Sequence, residues 1–294
     1  MPKRALTWLA GKLAGWRGGA ATTAMIAAFA RRYRVNLDEA AEPDIARYAT
    51  FNDFFTRALR DGVRPLAESG LICPVDGAIS QFGIIEDGQI FQAKGHHYST
   101  LALLGGDREL AARFKNGSFA TLYLSPRDYH RIHMPCAGRL TRMLHVPGAL
   151  FSVNPATARH VPGLFARNER VVCAFESEAE SEVDSAPGAF AMVLVGATIV
   201  GSVATVWHGQ VTPPRRREIR RWDHGQDRGQ DDNRNGGKEA NIELARGAEM
   251  GRFQLGSTVI LLFERPDIRY PTDWRPARPV RMGETMGRLD GNPV

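Results

Sequence analysis

The chain has little that would staple it covalently or thread it through a bilayer. Its three cysteines, Cys73, Cys136 and Cys173, are odd in number and widely spaced, with no CxxC pair. Neither a disulfide framework nor a zinc site is indicated, and a reducing compartment fits best. No stretch reaches the roughly 20 apolar residues of a spanning helix. The longest weakly polar run, Ala20 to Ala30, ends in Arg31 and Arg32. Lys12 and Arg17 break the apolar region that a secretory signal needs after Lys3 and Arg4. No repeat of solenoid period is apparent. Acidic residues are in the minority, and the net charge of +6 over 294 residues favours an anionic surface, phospholipid or nucleic acid.

What is present begins with helices. Leu6, Leu9, Leu13 and Trp16 recur at helical spacing among basic residues, the pattern of a short amphipathic helix that lies in a bilayer interface or packs on a neighbouring surface. Further helices are expected from Thr22 to Tyr33, from Ile45 to Ala49 and from Phe51 to Leu59, the last capped by Thr50, Asn52 or Asp53. From Cys73 onward the pattern changes to short strands punctuated by glycine: Ala78 to Ile85, Phe119 to Leu124, Gly138 to Leu144, Val171 to Glu176, Phe190 to Ile199 and Ser202 to Trp207. Several are apolar on both faces, as in the core of a sandwich or barrel. The fold class expected is α+β: a mainly antiparallel β sandwich or barrel-like core (residues 66–294) behind an N-terminal helical, membrane-associating module (residues 1–65). Thr212 to Gly237 is nearly devoid of apolar residues and reads as a long exposed loop or a partly disordered insertion.

The chemistry is sought in Phe253 to Phe263, an apolar, β-branched run broken at its start by Gly256-Ser257. Glycine there removes a Cβ and admits a bend, so the Ser257 hydroxyl can reach the Gly256 carbonyl. Attack converts the amide to an ester, and β-elimination cuts the chain, leaving a dehydroalanine that becomes a pyruvoyl group. Such a ketone can condense with an amine and accept electrons, as a bound cofactor would. Two further segments carry candidate groups. Pro74-Val75-Asp76-Gly77 sets an acid in a tight turn, and the proline-bounded run Ser125 to Pro135 holds His130 and His133 three residues apart. An aspartate, a histidine and a serine are the parts of a base-activated nucleophile.

Six blocks make a resemblance specific. PVDG around Asp76, SPRDYHRIHMP from Ser125, LFSVNP from Leu150, LFARNERV from Leu164, VGATIVGSV from Val195 and EMGRFQLGSTVI from Glu249 resemble the phosphatidylserine decarboxylase family in order. FNDFFTR from Phe51 extends the likeness over essentially the whole chain. The resemblance implies cleavage of the Gly256–Ser257 bond into a β chain (residues 1–256) and an α chain (residues 257–294), with Ser257 becoming the covalent pyruvoyl group and no pyridoxal phosphate or metal required. It further implies that Asp76, His133 and Ser257 form the charge-relay set for self-cleavage and that His130 serves the decarboxylation step as proton donor. The implied reaction converts phosphatidylserine to phosphatidylethanolamine and CO2 through a Schiff base to the pyruvoyl ketone. Phosphatidylserine and an anionic phospholipid surface are then the partners, with peripheral attachment on the cytoplasmic side of the cell membrane. The two fragments stay together as a heterodimer, and whether two such units pair is left open. A hairpin over Val280 to Leu289, turning at Gly283 and Gly287, is expected near the site.

Three other readings compete. An ordinary Ser-His-Asp hydrolase would need no cut, and the Gly256-Ser257 step lacks the Gly-x-Ser-x-Gly elbow. A metal protein using His96, His97, His130 and His133 lacks a convincing ligand set. A nucleic-acid arm built on Arg215, Arg216 and Arg217 lacks interleaved aromatics for stacking.

Overall fold

The computed structural model describes residues 3–177, 187–198, 202–213, 217–225, 241–254 and 258–289. Leu255, Gly256 and Ser257 therefore lie outside the described residues, as does most of the polar stretch between Pro214 and Ala240.

The chain is organised by one large antiparallel sheet with strand Thr258–Phe263 near its middle. Every residue of that strand is buried, and it pairs along its whole length with Ser118–Tyr123 on one side and Ala189–Val195 on the other. Burial on both faces explains why this strand reads as a continuous apolar run rather than an alternating one. Val259, Leu261 and Phe263 point into one core, shared with Ile132, Val203, Met250 and Phe253 from the smaller sheets. Ile260 and Leu262 point into a second core, with Leu103, Phe114, Leu164 and Phe165 from short helices. The architecture is thus three layers: small sheets, the large sheet, then helices. The small sheets include a four-stranded one, in the order Gly209–Thr212, Val203–Thr205, Glu249–Phe253, Arg131–His133. The α+β class and the antiparallel pairing follow the sequence expectation, while the described strands do not close into a barrel.

In front of the sheets stands a helical module. α1 (Lys3–Ala14), α2 (Ala20–Tyr33) and α3 (Phe51–Phe55) gather Ala14, Ile26, Phe51, Phe54 and Phe55 into a third core. α3 is shorter than the expected Phe51 to Leu59, and the turn Ile45–Arg47 is a 3-10 helix. A reciprocal capping box fixes where α3 begins: Asp53 N donates to Thr50 Oγ1 and Thr50 N to Asp53 Oδ2, both at 3.1 Å.

Two other expectations are corrected. The polar stretch is not loop throughout, because Arg220–Asp223 forms a strand against the edge of Gly138–Val146. Val280 to Leu289 is not a hairpin. Pro279–Val280 pairs with Gly77–Ile84, whereas Thr285–Leu289 joins Leu71–Ile72 and Ile268–Arg269, so the turn at Gly283 carries the chain from one sheet to another.

Candidate active site

The segment linking Ser118–Tyr123 to Arg131–His133 is folded by its own aspartate. Asp128 Oδ2 accepts from Ser125 N at 2.7 Å, and Asp128 N donates to Ser125 O at 3.0 Å. This local turn suits Asp, whose side chain readily bonds nearby backbone. It delivers His130 into full burial, with its ring centroid 4.0 Å from that of Phe55. His130 Nδ1 lies 2.8 Å from the Asp128 carbonyl. A carbonyl only accepts, so Nδ1 carries the proton and Nε2 presents a lone pair. Nε2 is buried and makes no hydrogen bond. Burial pushes the imidazole pKa down to about 3, and the nearby Arg57 charge adds to this against the opposing pull of the Asp128 carbonyl.

His133 sits at the other end of the same short strand. Its Nδ1 donates to the Gly247 carbonyl at 2.7 Å, so its Nε2 accepts from the Tyr129 hydroxyl at 3.0 Å. Burial lowers its pKa too, with the Gly247 bond and the charges of Glu249 and Asp76 acting in the opposite sense.

Asp76 stands at the head of strand Gly77–Ile84. Gly77 permits this placement, since a Cβ there would lie 2.4 Å from the Tyr123 carbonyl oxygen. The Asp76 carboxylate accepts from Arg64 Nε at 3.0 Å and Arg64 Nη2 at 2.7 Å, and from Met282 N at 2.9 Å. Arg64 Nη2 also holds Glu39 at 2.6 Å, which lowers the Glu39 pKa. The hydrogen bonds of Asp76 therefore go to Arg64 and Met282, and none goes to His133. The two are linked instead by the His133 N to Pro74 O bond at 2.9 Å and by Asp76's charge acting through space.

Gly256 and Ser257 lie outside the described residues, and the chain is described on either side of them. Phe253 N donates to the His130 carbonyl at 3.0 Å, and Gln254 N to the Ser202 carbonyl at 3.0 Å. The chain resumes at Thr258, in register with Tyr123 and Val195. Thr258 Oγ1, like His130 Nε2, is buried without a partner. His133 pairs with Glu249, further back along the strand than Phe253, whose N–H meets the His130 carbonyl.

Some contributors escaped the sequence reading. Arg64 and Glu39 are charges in irregular chain, and nothing local announces that they meet at Asp76. Tyr129 and Arg57 lie inside quoted motifs, but their partners are set by packing. His96 and His97 lie on the hairpin with Gln89–Ala93, away from the other two histidines. Among the described residues, no three His, Cys, Asp or Glu side chains gather as metal ligands.

Comparison with known proteins adds a family. A family model described as phosphatidylserine decarboxylase matches residues 51–288, and a model described as PSD matches residues 1–34. A phosphatidylserine decarboxylase proenzyme from Acidovorax ebreus is 62% identical over 291 residues, covering 99% of this chain and 95% of its own. The protein of that name from Methylibium petroleiphilum is 63% identical over 286 residues, covering 97% and 94%. One from Dechloromonas aromatica is 62% identical over 287 residues, covering 98% and 94%.

Proposed function

This chain belongs to the phosphatidylserine decarboxylase family, and on that premise we propose a mechanism for how its residues convert phosphatidylserine to phosphatidylethanolamine and CO2. The observation that carries the proposal is His130: fully buried, neutral, and presenting an unpartnered Nε2 beside the strand that leads to Gly256 and Ser257.

The residues at that joint fit a pyruvoyl group made from Ser257. Two buried polar atoms lack partners among the described residues: Thr258 Oγ1, next to the joint, and Nε2 of His130, whose carbonyl meets Phe253 N, and native structures rarely leave such atoms without a reason. Once formed, the pyruvoyl group supplies a ketone conjugated to an amide, able to take up the electron pair that CO2 leaves behind. The protein's own task is then proton handling. The serine headgroup arrives as an ammonium, which must lose a proton before it can attack a ketone. His130 is neutral before substrate arrives, with a free lone pair at Nε2; the negative charges of the bound substrate favour the imidazolium, and Nε2 then takes that proton. Returning it to the carbon from which CO2 departed forms the new C–H bond, and the released amine takes up one proton from solvent, the one proton the overall reaction consumes. Closure by Phe55 keeps water from competing for it.

Self-cleavage is assigned to Asp76, His133 and Ser257. His133 is the base for the Ser257 hydroxyl, and Asp76 favours the imidazolium through its charge, the part an orienting acid plays in such a relay. The products are residues 1–256 and 257–294, held as a heterodimer by the pairing of Thr258–Phe263 with strands of the larger fragment. Attachment is peripheral, through the helical module, on the cytoplasmic face.

The test is Ser257→Ala. The unaltered protein should give two masses, the smaller with an N-terminus lacking the serine amine and resistant to Edman degradation. The variant should remain one inactive polypeptide. His133→Ala should also stay uncut, whereas His130→Ala should be cut and turn over poorly. An active continuous chain with an unmodified serine at 257 would end the proposal.

A further inference from the structure

Arg57 is buried to 5% exposure just after α3, yet it lacks the partners a buried guanidinium needs. Its Nε makes no hydrogen bond, and its Nη2 makes a single long one, 3.3 Å to the Arg127 carbonyl. Its guanidinium carbon lies 5.4 Å from the Phe54 ring centroid, and no carboxylate comes within ion-pair distance among the described residues. Other deeply placed arginines are satisfied. Arg64 grips Asp76 and Glu39, Arg142 grips Asp107, Glu109 and Asp223, and Arg170 donates to three backbone carbonyls. A guanidinium offers five N–H donors and cannot shed its charge at ordinary pH. Burying one with its Nε–H unpaired and a single long bond from Nη2 is costly unless an anion completes it.

Its position says where that anion would sit. The Arg57 contact to Arg127 falls in the turn that delivers His130, and its charge is felt by the His130 ring. His130 packs against Phe55, the last residue of α3 and two residues before Arg57. We infer that Arg57 binds the phosphodiester of the phospholipid substrate and thereby places the reacting carbon at His130. This inference rests on the decarboxylase reading.

The substrate carries two anions, and the chemistry separates them. An ion pair to the carboxylate would be lost as CO2 leaves, so it would stabilise the ground state over the transition state and slow the step. The phosphodiester keeps its charge throughout, so holding it anchors the reacting end at no cost to the barrier. Only three bonds separate the phosphorus from the reacting carbon, so anchor and proton donor must be close neighbours. A forked guanidinium suits phosphate oxygens well.

Arg57→Gln is expected to be processed into both fragments as before. Its KM for phosphatidylserine at fixed surface concentration should rise roughly tenfold to a hundredfold, the range of a charged hydrogen-bonded contact, with kcat changing far less. Inhibition by phosphatidylethanolamine, which keeps the phosphodiester and lacks the carboxylate, should weaken by the same factor. Arg57→Lys should fall between. In the unaltered enzyme, the Nε–H resonance of Arg57 should shift on adding dihexanoyl-phosphatidylethanolamine, a readout that needs no substitution to fold. An unchanged KM, an unmoved resonance, or a raised KM with unchanged inhibition by phosphatidylethanolamine would each overturn the assignment, the last by pointing to the carboxylate. Failure of the unaltered chain to process or to decarboxylate would overturn the underlying reading instead.

Discussion

At the scale of single residues, burial of His130 has a consequence for stability. An unfolded histidine titrates near 6.5, and in the fold burial pushes His130 down to about 3. Between those values the unfolded chain binds a proton that the native chain does not, so stability falls as pH drops below 6.5 and gains nothing above it. His133, also lowered by burial, acts in the same direction. Thermal unfolding followed from pH 7 to pH 5, where most carboxylates stay ionised, should show a falling Tm. His130→Phe, which keeps a ring against Phe55, should flatten that fall, and parallel slopes would place the acid sensitivity elsewhere. The candidate groups themselves were legible because Asp76, His130 and His133 sit in compact motifs. Their partners were not: Arg64, Met282 and Gly247 reach them from 12, 206 and 114 residues away, and no local pattern records a bond across such separations.

At the scale of elements, α3 is five residues long, too short to stand on helix propensity. It depends on its capping box and on the aromatic contacts of Phe51, Phe54 and Phe55. Thr50→Ala removes one side of that box and is expected to lower stability by about 1 kcal/mol, measurable by urea denaturation. Because α3 presents Phe55 to His130 and leads into Arg57, the same variant should also lose decarboxylase activity while still being processed. Wild-type turnover in a destabilised Thr50→Ala would show that the helix only scaffolds. The long strands were legible in sequence because the large sheet separates two cores, which makes Thr258–Phe263 and Ala189–Val195 apolar on both faces. The two-residue strands Pro279–Val280 and Ile268–Arg269 are too short to display a period. Arg220–Asp223 escaped because it binds the sheet edge through its backbone, with a charged sequence that reads as loop.

At the scale of the whole molecule, a two-chain lipid must be met at a surface, and no helix among the described residues is long and apolar enough to cross a membrane. The helical module has the means for peripheral attachment. Leu9 and Leu13 on α1 are 60% and 49% exposed and Trp16 just beyond it 51%, while α2 ends in Arg31 and Arg32. α1 and α2 share a core with α3, so a bilayer reached by the exposed leucines would lie near the helix that carries Arg57 towards His130. Two forces are then separable. Each exposed leucine contributes about 1–2 kcal/mol on leaving water, so Leu9→Glu with Leu13→Glu should weaken binding to anionic vesicles at least tenfold at any salt concentration. The cationic contribution is screened within about 10 Å at 0.1 M salt and about 3 Å at 1 M, so vesicle co-sedimentation of the unaltered protein should fall between those concentrations. Processing into two fragments should be unaffected in the double variant, as should turnover of a short-chain, monomeric phosphatidylserine. Undiminished co-sedimentation of the variant would move the attachment surface away from α1, and with it the reason for placing the lipid entrance beside Arg57.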